Sequence, residues 1–288
     1  MDAEEAARRF AAAAKAQTKA LPKVQRDVLA EIIRQLALAE GQVIALLSAS
    51  PSDAAQRRLR QLQVEIERTM EDFRQAATTA STRGASEGWQ AGIRSISAPF
   101  DAAGVSALGA RIDAGALMAT QKFMTDRIQD ISLRALNRLN GALTQHIIGA
   151  TPLADTITQV QKIMGGVPRA RAMTVAYTEI GAVHSVSQDA ALQQAGHVVP
   201  HVRKRWLKSG KLHPRPAHVA AHGQIRRYDE AYVVDGEQLQ FPRDPNGSAR
   251  NVINCGCLSI PVVDGSSFAD RIVRLGPQGG VHTIAMPR

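Results

Sequence analysis

PKVQRDVLAEIIRQLALAEGQVIALL, residues 22–47, decides the fold of the first half of this chain. Val28, Leu29, Ile32, Ile33, Leu36, Val43 and Leu47 recur at steps of three and four, the apolar stripe of an amphipathic helix. Pro22 suits the first turn of that helix. Ser50-Pro51-Ser52 then breaks and restarts the chain, with Ser as N-cap and Pro early in the next helix. Leu59, Leu62, Ile66, Met70, Phe73 and Ala77 repeat the stripe at a spacing near the heptad seam of a helical hairpin or coiled coil. Such stripes read first as internal core, and alternatively as a docking face for another protein.

Upstream, residues 2–20 form an Ala-rich helix. Downstream, residues 78–118 lose regularity, with TTASTRGASEG, Pro99, Gly104, Gly109 and Gly115. Trp89, Ile93 and Ile96 predict a shorter helix there. A long helix returns over about 119–148 through Phe123, Ile128, Ile131, Ala135, Leu139 and Ile147. Thr151-Pro152 caps another that ends at Gly165-Gly166. No strand alternation interrupts the first 160 residues.

After Pro168 the helical pattern runs to about Ala195, and Gly196 is expected to stop it. The texture then changes. Val198-Val199 with Val202, Tyr232-Val233-Val234, and Ile253 through Val263 are short β-type runs bounded by turn residues. The chain is read as mainly α: a helical domain over 1–160, a small α+β module with short antiparallel strands over 161–263, and an extended arm over 264–288, in which Ile272 to Leu275 dock.

Composition agrees. Of 288 residues 44% are hydrophobic and only 4% aromatic. Ala carries much of the apolar count, which favours long helices over sandwich cores. No apolar run reaches the length of a membrane span, and MDAEEAARRFAAAAKAQ is not a secretory signal. The two cysteines stand one residue apart, too close for an unstrained disulfide, which suits synthesis and assembly in a reducing cytoplasm. The net charge is +9. Residues 1–160 carry +2 of it and residues 161–288 carry +7. The basic C-terminal part points to an anionic partner, nucleic acid first; the alternative is a solvated face.

The chemistry concentrates in RKRWLKSGKLHPRPAHVAAHGQ (203–224), FPRDPNG (241–247) and NVINCGC (251–257). His218, His222, Cys255 and Cys257 offer four soft or borderline donors, a possible tetrahedral zinc set. Their other reading is small buried cysteines and histidines bonded to backbone. Arg203, Lys204, Arg205, Lys208, Lys211 and Arg215 surround Trp206 and can neutralise phosphates without reading sequence, so DNA binding is expected to be non-specific. Strand alternation puts Arg203 and Arg205 on one face and Lys204 and Trp206 on the other. Trp206 is read as buried, anchoring its strand to the helix at 170–195, and alternatively as an exposed platform for stacking on a base; His184 is read as a surface or interface residue. No nucleophile–base signature and no phosphate-binding glycine loop is present, so the chain is read as non-enzymatic. The rivals are a zinc- or cysteine-dependent hydrolase and a cytosolic nucleic-acid-binding adaptor.

ARAMTVAYTEIG (170–181), KRWLKSG, HPRPAHVAAHGQ, the FPRDP loop and NCGC, in that order, resemble the signature of Mu F-like phage head morphogenesis proteins over about 165–262. Many members carry an acidic residue seven positions before the His; here that position is Lys211. The resemblance implies that these elements form one site. It also implies a minor head protein of a tailed phage, built into the capsid interior near the portal, with portal or major capsid protein and packaged DNA as partners. Larger members carry a toxin or ADP-ribosyltransferase domain beyond this module, and the stretch after it here is too short for one.

Overall fold

A computed structural model describes residues 2–49, 52–106 and 114–263. The Ser50-Pro51 break, Gly109 and the arm over 264–288 with its docking segment lie outside the described residues, as does the Leu59 side chain. The chain is mainly α with a small antiparallel β portion, as the periodicity predicts. Its elements are α1 (Ala3–Gln17), α2 (Ala20–Ser48), α3 (Ser52–Ala102), α4 (Gly115–Ile147), α5 (Leu153–Gly165), α6 (Val167–Thr174), a π-helical turn Val175–Glu179, α7 (Ile180–Val198), β1 (Arg203–Leu207), α8 (Pro216–Ala220), β2 (Ile225–Arg227), β3 (Tyr232–Val234), β4 (Glu237–Leu239), α9 (Ala249–Val252) and β5 (Leu258–Val262).

By packing, the chain forms two compact units, each drawn from separated segments: residues 26–84 with 119–176, and residues 1–25 with 85–118 and 177–288. In the first, the stripes of α2, α3 and α4 are core. Val28, Ile32, Leu36, Val43 and Leu47, then Ile66, Met70 and Phe73, then Met124, Ile128, Ile131 and Leu139 are all buried. Each such side chain contributes about 1.5–3 kcal/mol by leaving water. The Ser132 hydroxyl donates to the Met70 carbonyl at 3.0 Å, pinning α4 to α3. These stripes are therefore taken up inside the chain, and the alternative of a docking face formed by them falls.

In the second unit, Phe10 of α1 meets Phe100 of α3 edge-on at 4.9 Å. Around this pair lie Ala6, Ala14, Ile96, Ala191, Leu192, Ala195 and Val202. Three strands pair antiparallel in the order β2-β1-β5, and β3-β4 form a separate hairpin. That hairpin turns on Asp235-Gly236, both with positive φ (52° and 77°), as a two-residue loop joining twisted strands requires. Among the described residues, strands begin only at Arg203.

Several local expectations need correction. The helix around Trp89 is not short: α3 continues unbroken to Ala102, through Gly88, Gly92 and Pro99. The glycines are places of close approach, not breaks. A Cβ on Gly92 would stand 2.0 Å from Ser187 Oγ and 2.3 Å from the His184 carbonyl oxygen of α7. Gly196 likewise does not stop α7, which runs on to Val198; a Cβ there would meet the Tyr228 ring at 2.5 Å. The N-cap of α5 is Pro152, with no side-chain cap bond, so Thr151 does not cap it. Residues 253–257 are not strand, because that stretch holds the turn after α9 and the Cys loop before β5.

Candidate functional site: a buried cysteine–histidine centre

The basic strand β1 runs along the middle of its sheet, pairing with β2 and β5 on either side. Its alternation buries Lys204 and Trp206 and turns Arg203 and Arg205 the other way. Trp206 is fully buried, as expected, but its partners differ from those expected. Its ring meets Tyr232 of β3 at 5.2 Å and His218 of α8 at 5.9 Å, both edge-on. It shares a cluster with Ala221, Val234, Leu239, Cys255 and Cys257. The tryptophan thus forms the floor under the cysteine loop.

α8 is a single turn started by Pro216, long enough to aim one histidine inward. His218 is 2% exposed. Its Nδ1 lies 3.3 Å from Cys257 Sγ and 3.6 Å from Cys255 Sγ. Its Nε2 faces Asn251 Oδ1 at 3.2 Å. Both cysteines are free and buried. Ligand atoms of His218, Cys255 and Cys257 all lie within 4.8 Å of one another.

His222 does not join them. The helical face that would align it with His218 ends at Ala220. The chain then turns back to β1, Gly223 donating to the Trp206 carbonyl at 2.9 Å. This leaves His222 exposed, its Nδ1 accepting from the Lys208 amide at 3.3 Å. The four-donor set is therefore a three-donor set.

Each sequence piece reaches this centre. The π-helical turn widens the helix path at Tyr177-Thr178, a distortion found often at functional sites. Thr178 Oγ1 accepts the Asn254 amide at 2.8 Å, steadying a residue held at a left-handed φ of 54° just before Cys255. Arg243 of the FPRDP loop also has a positive φ of 68°. Its guanidinium is buried, donating to the Cys255 carbonyl at 2.7 Å and to Ser185 Oγ at 3.0 Å. Gly181 makes room for it: a Cβ there would lie 2.6 Å from Arg243 Nε. Asp244 secures the loop, accepting the Gln240 and Asn246 amides.

The electrostatics favour one thiolate. Cys255 is lowered by its hydrogen bond with Cys257 foremost, then by His218 and Arg243. Cys257 is raised by that same bond and by burial. His218 is raised chiefly by its hydrogen bond with Cys255. His184, expected at the surface or at an interface, is 2% exposed within the chain itself, and burial drives its imidazole down to about 3.

The six basic residues separate. Arg203 is exposed and Arg205 half-buried on the outer face, and among the described residues neither makes an ion pair. Arg203 lies directly opposite Arg227 across the β1–β2 ladder. Lys204 is not a phosphate contact, because strand alternation sends it inward, where Nζ donates to the Gln240 carbonyl at 2.8 Å and sits 3.7 Å from Asp189. Lys208 is exposed. Lys211 and Arg215 are tied to the Cys loop, donating to the carbonyls of Asn254 and Ile253. Lys211 Nζ also lies 5.3 Å from the Tyr177 ring centre. Asn251, Arg243 and Thr178 lacked any individual signal beyond lying within the motif pieces, and Arg227 was hidden in the polar run IRRYD.

Over 140 residues the chain is 35% identical to "Uncharacterized protein YqbB" of Bacillus subtilis (strain 168), covering 47% of this chain and 43% of that one. Over 97 residues it is 32% identical to "NAD(+)--arginine ADP-ribosyltransferase EFV" of Enterococcus faecalis (strain ATCC 700802 / V583), covering 34% of this chain and 20% of the enzyme. The matches thus span less than half the length of either relative. No solved structure matches. Residues 137–260 match the family described as Phage Mu protein F like protein, and this segment, which holds every side chain of the cysteine–histidine centre, is the Mu F-like region that the motif pieces resemble.

Proposed function

We infer that the chain is a minor head protein acting in phage head morphogenesis, placed in the capsid interior near the portal and in contact with packaged DNA. The carrying observation is the Mu F-like match over 137–260, whose motif pieces converge on a single buried centre. The DNA contact draws support from the excess of +7 in residues 161–288 and from the outward Arg203, Arg205 and Lys208. With the leading stripes buried, portal or capsid contact falls to other surfaces, among them the exposed Met118, Leu133, Ile148 and Val167. Among the described residues no helix is long and apolar enough to cross a membrane.

The test is particle assembly. The full chain, expressed during head assembly, is expected to purify with heads and to be retained in particles that have lost free cytoplasmic protein. Its absence from heads would move the reading to a nucleic-acid-binding adaptor of the host cytoplasm. A second reading comes from the name of the Enterococcus faecalis relative, of which the match covers only 20%. We read this chain as lacking that transfer activity: incubation with NAD+ and an arginine substrate is expected to give no ADP-ribosylated product.

A further inference from the structure

We propose that His218, Cys255 and Cys257 bind one zinc ion, through Nδ1 of the histidine and the two sulfurs, as a structural centre of the module.

Distances come first. With zinc–sulfur bonds of about 2.3 Å and a zinc–nitrogen bond of about 2.0–2.1 Å, the N···S edge of a tetrahedron is about 3.6 Å. The two N···S separations are 3.3 and 3.6 Å, so these two edges need little adjustment, and the third, between the sulfurs, is at most 4.8 Å against about 3.8 Å for a tetrahedral pair of zinc–sulfur bonds. A thiol–imidazole hydrogen bond accounts for one such contact. It does not account for two, because Nδ1 offers a single proton or a single lone pair, yet both sulfurs face it.

The tautomer fits as well. Asn251 Oδ1 faces Nε2 at 3.2 Å. An amide oxygen can only accept, so Nε2 donates to it. Nε2 keeps its proton, and Nδ1, once its own proton is released, offers its lone pair to the ion. A ligand histidine bonded through its other nitrogen to a carbonyl oxygen is the usual outer arrangement of a zinc site.

The frame is rigid and dry. Cys255 and Cys257 are 2% and 1% exposed. Their loop is fixed by Thr178, Arg243, Lys211 and Arg215. Two thiolates and a neutral imidazole balance the charge of the ion, and binding releases the remaining thiol and imidazole protons. The Lys211 ammonium, held on Asn254, offers no lone pair, so the described chain supplies three of the four tetrahedral positions.

The experiment uses the full chain, stripped with chelator and then titrated with zinc and, as a spectroscopic probe, with cobalt(II). One zinc per chain is expected, with tighter binding as pH rises. Cobalt should give a thiolate-to-metal charge-transfer band and the intense visible bands of a tetrahedral site. His222→Ala should bind as the unaltered chain does, while Cys257→Ser should lose at least about tenfold in affinity, the lower bound set even by losing an outer partner. A chain that takes up no zinc, a cobalt spectrum without the thiolate band, or affinity unchanged in Cys257→Ser overturns the proposal. Should Cys257→Ser fail to fold, the stoichiometry and cobalt spectrum of the unaltered chain decide. The proposal does not depend on the head-protein reading, which the particle experiment tests separately.

Discussion

Gly92→Ala should destabilise this protein, although the same substitution at other helical glycines should stabilise it. An alanine Cβ at 92 would lie 2.3 Å from the His184 carbonyl oxygen and 2.0 Å from Ser187 Oγ. A carbon–oxygen contact closes at roughly 3.3 Å, so α3 and α7 must part by about an ångström. Ser187 can change rotamer, at the loss of its 2.9 Å bond to the Trp89 carbonyl. The His184 carbonyl is backbone and cannot turn aside. Overpacking of this kind costs about 1–3 kcal/mol, against a helix-propensity gain of about 0.8–1 kcal/mol for Ala over Gly. The controls are internal. At Gly41 in α2 and Gly141 in α4, an added Cβ would have nothing within 4 Å of it, so Ala at either should stabilise by roughly 0.5–1 kcal/mol. Urea unfolding of the three variants, followed by circular dichroism, should therefore give shifts of opposite sign for one chemical change. If Gly92→Ala is as stable as Gly41→Ala, α3 does not pack on α7 through Gly92 and the continuity of α3 loses its explanation.

Three further outcomes follow from the geometry. Trp206→Ala, which empties the floor beneath Cys255 and Cys257, should cost about 3–5 kcal/mol in equilibrium unfolding. In DNA binding, Arg203→Ser with Arg205→Ser should flatten the dependence of log affinity on log salt by roughly 0.9 per lost duplex contact, whereas Lys204→Met, altering a buried side chain, should leave the slope unchanged. Asp189 is pushed up to about 6 by burial, against the pull of Lys204. Because this folded value exceeds the unfolded one, its contribution is fully present below about pH 4 and is lost as pH rises through 6, on the order of 3 kcal/mol in all. Asp189→Asn should remove that loss from the stability–pH curve between about pH 4 and 7.

The helical half was legible because its signal is long and redundant: a stripe such as Val28–Leu47 repeats one message through many turns. The glycines misled because sequence cannot distinguish a glycine that frees the backbone from one that admits a neighbour. Gly88, Gly92 and Gly196 are of the second kind. Alternation correctly set Lys204 beside Trp206, and the consequence that Lys204 is unavailable to phosphate follows from that same pairing. His222 failed for a local reason: a one-turn helix has no second turn to carry the next histidine onto the same face. β2 and β4 are three residues each and largely polar, so periodicity could not find them, although Asp235-Gly236 carried a hairpin signal at its centre. The site's supporting residues are the least legible. Thr178 meets the Cys loop and Ser185 meets Arg243 from remote parts of the chain, and only the fold reveals which polar residue completes which bond.

The small module explains why such a polar centre is there at all. Its second core cluster consists of Trp206, Ala221, Tyr232, Val234, Leu239, Cys255 and Cys257, too few apolar groups to fix several loops by burial alone. The loops are held instead by directional bonds, each of which stabilises little on balance but costs much if left unmade when buried. Arg243 shows the logic. Its guanidinium is buried without a carboxylate partner among the described residues and is satisfied in part by the Cys255 carbonyl and Ser185. Its charge lies close enough to the cysteines to favour a thiolate on Cys255. A positive φ at Arg243 and another at Asn254 are tolerated because the surrounding bonds over-determine them. The same bonds bring two sulfurs and one imidazole nitrogen within 4.8 Å of one another. A module that already uses buried polar groups to define its loops needs only one ion to tie α8 to the Cys loop, which is why losing Cys257 should be felt in metal affinity before it is felt in helix content.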